Sequence, residues 1–237
     1  AARGYWVYDF ALPLLVLHTL YHHTQRRLLE WLRICPRRQF TTLDTHDGLG
    51  VVDAAGLLDE AELSRTLEGL YQKGSNVKRI YSSADYQNLD VYQVNCTYFS
   101  ALETNADAYL AARAIQFFTP GIPQVYYVGL LAGENDVALV ERTRNGRDIN
   151  RHPYPLEEAE AALQSPVVER LLALMRFRSR YPAFDGVLSI GATPEDRLEL
   201  TWRHQAAEAT VRIDLRDYTT RLVYRDLDTG RRREMAV

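Results

Sequence analysis

The strongest constraint in this sequence is a single change of rhythm at Asp185-Gly186. Before it, apolar runs of strand length alternate with longer stretches whose apolar residues recur at helical spacing. Residues 6–10 read as a buried strand, and residues 14–32 as a helix carrying Leu17, Leu20, Leu28, Leu29 and Trp31, punctuated by Pro13 and Pro36. Residues 40–44 form the second predicted strand. A helix over 59–73 follows, with Leu63, Leu67 and Leu70 on one face and Gly74 as its stop. Residues 75–95 are polar and tyrosine-rich, which predicts a long ordered loop. A helix over 105–118, a strand over 124–129, a glycine-containing loop to about His152 and a helix over 166–180 complete this part. After Asp185-Gly186 only short, often alternating runs remain, over 187–190, 198–203, 209–215, 221–224 and 232–237. Turn residues such as Pro194-Glu195-Asp196 and Asp228-Thr229-Gly230 separate some of them.

The first pattern predicts an α/β fold with a parallel sheet, the second a small antiparallel β domain packed onto it. Three strand–helix units are too few to close a barrel that needs eight. The chain opens on Ala1-Ala2-Arg3-Gly4 without a methionine and runs almost at once into a strand with no preceding partner, so an upstream region is an alternative to hold open.

Composition narrows the function classes. A net charge of −3 with short basic clusters (Arg26-Arg27, Arg37-Arg38, Arg231-Arg232-Arg233) argues against a nucleic-acid or membrane-surface partner. Cys35 and Cys96 have neither CxxC nor metal-ligand spacing, so a disulfide framework is not expected and a reducing cytoplasm fits. Asn95-Cys96-Thr97 matches a glycosylation sequon but has no secretory context. The apolar run 10–17 is too short to span a bilayer. His18, His22 and His23 cluster without a supporting carboxylate or thiol, so no metal or other cofactor is expected.

The most informative motif is Leu43-Asp44-Thr45-His46-Asp47-Gly48-Leu49-Gly50, at the C-terminal end of a predicted strand. In barrels that end carries the active site. A carboxylate and an imidazole can bond neighbouring hydroxyls, and glycine lets a ligand approach the backbone. Asp47 as a simple turn cap stands equally open at this point.

Thr45-His46-Asp47-Gly48 resembles the last conserved region of the α-amylase superfamily, glycoside hydrolase family thirteen. Longer strings are similar to its sucrose phosphorylase branch: Leu43 to Asp53, Asn88-Leu89-Asp90-Val91-Tyr92-Gln93-Val94-Asn95, Pro120 to Gly129, Leu131 to Asp136, and Asn145-Gly146-Arg147-Asp148-Ile149-Asn150-Arg151-His152. The resemblance implies that residues 1–184 form about strands 6 to 8 of a (β/α)8 TIM barrel and 185–237 a C-terminal antiparallel β domain. It also implies a retaining double displacement through a covalent glucosyl-enzyme, intercepted by phosphate to give α-glucose 1-phosphate and fructose. By position Asp47 resembles the carboxylate that stabilises the transition state, and His46 a ligand of the same glucosyl unit. Arg147 resembles the arginine that closes the glucose pocket through an acidic partner from an upstream loop. Leu89, Asp90, Tyr92 and Gln93 resemble the mobile acceptor loop. Read without the resemblance, Arg147 could pair with Asp148 or another surface acid, and Tyr92 could be loop packing.

The same resemblance places the nucleophile and the acid/base on strands four and five, before Ala1, so the isolated chain is expected to be a poorly folded, inactive fragment. Implied partners are a small sugar and inorganic phosphate, with a homodimer a candidate assembly of the full-length enzyme. Tyr92-Gln93 fits sucrose, while Lys78 and Arg79 leave a phosphorylated acceptor open; sucrose 6'-phosphate and glucosylglycerol are the alternatives. A non-catalytic sugar-binding module is the alternative of another class.

Overall fold

The structure, a computed structural model, describes residues 1, 3–72 and 93–237. Its first layer is a parallel sheet of β1 (Val7–Asp9), β2 (Gln39–Thr41) and β5 (Ile122–Pro123), in that spatial order. Tyr8 lies opposite Phe40, and Phe40 opposite Ile122, so these three side chains share one face. Helices α1 (Leu12–His22) and α2 (Arg26–Ile34) cross from β1 to β2. The longer crossover from β2 to β5 contains a small antiparallel pair, β3 (Leu49–Gly50) with β4 (Gln93–Val94). It also contains α3 (Glu60–Gln72), the single turn α4 (Tyr98–Ala101) and α5 (Ala106–Phe118).

Every residue of α5 from Ala108 to Phe118 is buried. Alanines at 108, 111, 112 and 114 let neighbouring elements approach closely, and the helix runs through the centre of the molecule. Asn105 caps it, its Oδ1 accepting the Ala108 N–H at 2.9 Å.

Beyond β5 come the turn α6 (Tyr127–Leu130), α7 (Val137–Thr143), a 3-10 segment (Gly146–Asn150), α8 (Leu156–Leu163) and α9 (Pro166–Arg180). The antiparallel sheet then follows as a meander of β6 (Val187–Ile190), β7 (Arg197–His204), β8 (Ala207–Asp214), β9 (Thr220–Arg225) and β10 (Arg232–Ala236). Its inner face supplies Leu198, Leu200, Trp202, Val211, Ile213 and Leu222 to a core continuous with α5 and α9. Trp202 Nε1 donates to the Phe118 carbonyl at 2.8 Å, and Arg178 donates to the Phe117 and Gly121 carbonyls.

The predicted architecture of parallel strands followed by an antiparallel sheet is the one observed, and the five late strands lie within two or three residues of their expected bounds. Three local expectations are corrected. The helix expected over 14–32 is two helices, broken where His23 adopts a left-handed φ of 52°. The break is fixed from the antiparallel sheet: His23 Nδ1 donates to the Leu215 carbonyl, and Gln25 bonds Thr193, Pro194 and Glu195. The strand expected over 124–129 is shorter and earlier, and its tail is the helical turn α6. The loop expected to run to about His152 contains α7 and the 3-10 segment, and α8 was not anticipated. Gly74 and most of the predicted loop over 75–95 lie outside the described residues.

Candidate active site

The site begins beneath the loop that leaves β2. Asp44 is buried there and accepts a hydrogen bond from Arg113 Nη2 at 2.6 Å. Arg113, fully buried on α5, also donates to the Tyr109 hydroxyl and to Gln116 Oε1. Burial opposes the charge on Arg113, but Asp44 and Tyr109 outweigh it and raise its pKa. The Tyr109 hydroxyl donates to the Gly129 carbonyl, and Gln116 Nε2 bridges the carbonyls of Thr41 and Gln124. One buried network therefore clamps the ends of β2 and β5 to the central helix. A Cβ at Gly129 would collide with the Asp44 carboxylate and the Arg113 guanidinium, so only glycine fits there.

On this base the Thr45-His46-Asp47 segment turns outward. Asn150 Nδ2 donates to the carbonyls of Thr45 and Asp47, at 2.9 and 3.0 Å. Arg151 Nε donates to the His46 carbonyl at 2.8 Å. The 3-10 segment that ends at Asn150 is thus stitched to the backbone of the motif. Asp47 is then approached by two guanidinium groups and an imidazole: Arg147 Nη1 at 3.1 Å from Oδ1, Arg151 Nη2 at 3.7 Å from the same oxygen, and His46 Nε2 at 3.5 Å from Oδ2. The Asp47 side chain is one-third exposed and His46 two-thirds, so both face solvent. Opposite Asp47, Gln93 Oε1 accepts the Gly48 N–H at 3.3 Å, placing the start of β4 beside the motif.

The structure thus brings four of the expected site residues together: His46, Asp47, Gln93 and Arg147. Arg147 meets Asp47 itself, and Asp148 is met by Arg151 at 3.7 Å instead. Leu89, Asp90 and Tyr92 lie outside the described residues, as do Lys78 and Arg79. Sequence reasoning passed over Arg113, Asn150 and Arg151. Arg113 was findable as the one charge between Ala108 and Phe118, and Arg151 as the residue four positions after Arg147 on a helical turn. His18 sits elsewhere, buried, with Nδ1 2.9 Å from the Thr66 hydroxyl. Among the described residues no group of three or more His, Cys, Asp or Glu is arranged to hold a metal ion, and no helix is long and apolar enough to cross a membrane.

Chemically, a carboxylate ringed by guanidinium and imidazole donors, on an open loop with glycine beside it, suits a polyhydroxylated ligand. Such a ligand exchanges its own hydroxyls into this pattern without removing the charge.

No family model matches the chain. It is 48% identical over 227 residues to the sucrose 6(F)-phosphate phosphorylase of Thermoanaerobacterium thermosaccharolyticum, covering 94% of this chain and 46% of that protein. It is 46% identical over 230 residues to the sucrose phosphorylase of Streptococcus mutans, covering 95% and 48%. With the glucosylglycerol phosphorylase of Marinobacter adhaerens it shares 45% over 234 residues, covering 98% and 49%. The chain spans about half the length of the curated relatives it matches. Among solved structures, sucrose 6F-phosphate phosphorylase from Thermoanaerobacter thermosaccharolyticum superposes with a TM-score of 0.91 at 45% identity, over 100% of this chain and 48% of that one. An α-amylase from H. orenii shares the fold alone, with a TM-score of 0.55 at 13% identity over 89% of this chain and 39% of that one.

Proposed function

The chain is a homologue of the sucrose phosphorylase-type enzymes of the α-amylase superfamily over about half their length, and from that premise we propose that it carries the transition-state-stabilising part of a retaining glucoside phosphorylase site. The observation that carries the reading is Asp47 at the C-terminal end of β2, held by Arg147 and flanked by His46. In the proposed reaction the glucosyl unit of sucrose is transferred first to an enzyme carboxylate and then to phosphate, giving fructose and α-glucose 1-phosphate. Asp47 accepts hydrogen bonds from the glucose hydroxyls as the ring flattens, and His46 donates to the same sugar. Arg147 orients Asp47 through their 3.1 Å ion pair.

A retaining mechanism needs two further carboxyl groups about 5–5.5 Å apart. The chain spans about half the length of these relatives, and the nucleophile and the acid/base are proposed to lie in the part of such an enzyme that it does not cover, so that the chain by itself is inactive. The parallel sheet supports this. Its helix-facing side carries buried Asp9, Gln39 and Thr41, whereas Tyr8, Phe40 and Ile122 face away from the helices, with Tyr8 and Ile122 about half exposed. An ordinary two-layer sheet has the reverse polarity.

The test is a phosphorolysis assay of the purified chain, alone and as part of a full-length enzyme, with sucrose, sucrose 6'-phosphate and 2-O-glucosylglycerol. We expect no turnover by the chain alone and a preference for sucrose in the full-length enzyme. Turnover by the chain alone removes the need for outside carboxylates, and equal rates on all three glucosyl donors remove the sucrose assignment. Abolition of glucosyl transfer by Asp47→Asn in the full-length enzyme is expected; unchanged kcat sinks the role of Asp47.

A further inference from the structure

We infer that His152 is a positioning residue: bracketed between two carboxylates, it locks the turn carrying Arg147 and Arg151 onto Asp47. His152 follows Arg151 directly, and each of its ring nitrogens meets an acid. Nδ1 lies 2.5 Å from Asp136 Oδ2, and Nε2 lies 2.9 Å from Glu158 Oε1. A neutral imidazole has one N–H and one lone pair, so it can serve only one of these acids and turns a lone pair on the other. The imidazolium serves both. The geometry therefore selects the protonated ring, and with it a cation held between α7 and α8.

The bracket is tied to the site at both ends. Asp136 caps α7 through the Leu139 N–H, and its own N–H donates to the Ile149 carbonyl at 2.8 Å, inside the 3-10 segment. The His152 carbonyl accepts from the Tyr127 hydroxyl of α6, and its ring packs edge-on against Tyr154 at 4.6 Å. Other charges facing this group are Arg142 of α7, which acts on Asp136, Glu134, which acts on Tyr154, and Arg151 on the same segment. The two acids in direct contact dominate. The Asp136 hydrogen bond raises the His152 pKa above the ordinary 6.5 against the opposing effect of burial, and Glu158 adds to it. Below that raised value the clamp is closed. As pH rises through it the proton leaves, one carboxylate loses its donor, and the Arg151 contacts to His46 and Asp47 loosen.

Nuclear magnetic resonance of a full-length enzyme that contains this chain tests this without sugar or phosphate, so its outcome is independent of whether the site is catalytic. Two curves are measured against pH: the His152 ring titration, and solvent exchange of the Arg151 Nε proton that bonds the His46 carbonyl. In the wild type, exchange is expected to rise by roughly tenfold beyond its ordinary pH trend as His152 deprotonates, the equivalent of one lost charged hydrogen bond. Glu158→Gln is expected to lower the His152 pKa and move the exchange step with it. His152→Gln is expected to abolish the step. The proposal is overturned if the Arg151 proton shows no step, if the step stays in place while Glu158→Gln moves the His152 titration, or if it survives His152→Gln. Should His152→Gln fail to fold, the Glu158→Gln pair of curves decides alone.

Discussion

The Arg113–Asp44 pair is the residue on which most of the site's geometry depends, because nothing around it can replace either charge. Removing one partner of a buried ion pair leaves the other desolvated and uncompensated, a loss of about 3–5 kcal/mol. Arg113→Met is therefore expected to lower the unfolding free energy by about that amount in urea titration, with Asp44→Asn plus Arg113→Met recovering part of the loss. Additive losses in the double variant contradict direct pairing. A second residue-scale expectation concerns acid. Burial, assisted by His22, pushes His18 from 6.5 down to about 4, so the folded state keeps it neutral. Its stabilising effect is complete above 6.5 and is lost as pH falls from there toward 4. Glu62 behaves as a paired carboxylate: burial opposes its charge, but the Asp59 N–H and Arg27 outweigh that and bring it from 4.5 to about 2. Its contribution is present above 4.5 and is lost as pH falls through about 2. The melting temperature should therefore decline in two acid stages, with His18→Gln removing the upper and Glu62→Gln the lower. A single stage that neither substitution alters contradicts both assignments.

Among the elements, α5 shows how much a side chain at a boundary can fix. Asn105→Ala removes its cap and is expected to cost about 1 kcal/mol in thermal or urea unfolding. This helix was legible in the sequence within one residue, because its boundaries are written locally as a capping Asn105 and a terminating Thr119-Pro120. The late strands were legible for a related reason: half-buried strands advertise themselves by alternation, as in Arg197–His204. The failures have distant causes. The break at His23 is held by groups some 170–190 positions away, which no local window contains. The run Gln124-Val125-Tyr126-Tyr127-Val128 has strand composition but curls into α6, where Tyr109 and Gly129 meet. In α8 no residue is buried, so its pattern carries no core-facing stripe. His46, Asp47 and Arg147, expected from the motifs, lie together in the structure, yet the ion pair between the last two crosses 100 residues and was not foreseen. Asn150 and Arg151 sit within a motif already quoted, but the hydrogen bonds by which they hold the Thr45–Asp47 backbone go to carbonyls, which carry no side-chain signature.

For the whole molecule, the inverted sheet is the dominant fact. Trp6, Tyr8, Phe10 and Ile122 leave much of their surface uncovered, and Trp6 and Tyr8 pack on Phe40 to make one continuous aromatic patch. A patch of this kind promotes association in water. The isolated chain is expected to bind a hydrophobic dye such as ANS and to sediment faster as its concentration rises. Trp6→Lys with Tyr8→Lys should reduce both effects while leaving far-ultraviolet circular dichroism unchanged. Dye binding equal to that of the wild type would mean the patch is not the adhesive surface.

The contacts between Gln25 and the turn at Thr193-Pro194 bear on how such a polypeptide is made. Gln25 leaves the ribosome 168 residues before the Thr193 hydroxyl that it bonds, a delay of about 10–30 s at ordinary elongation rates. Throughout that interval the side chains of His23 and Gln25 lack the partners that they bond in the finished fold. The nascent polypeptide thus passes through a long stage in which α1 and α2 have emerged but are unfastened, and that stage, more than the finished fold, is the one a chaperone would meet.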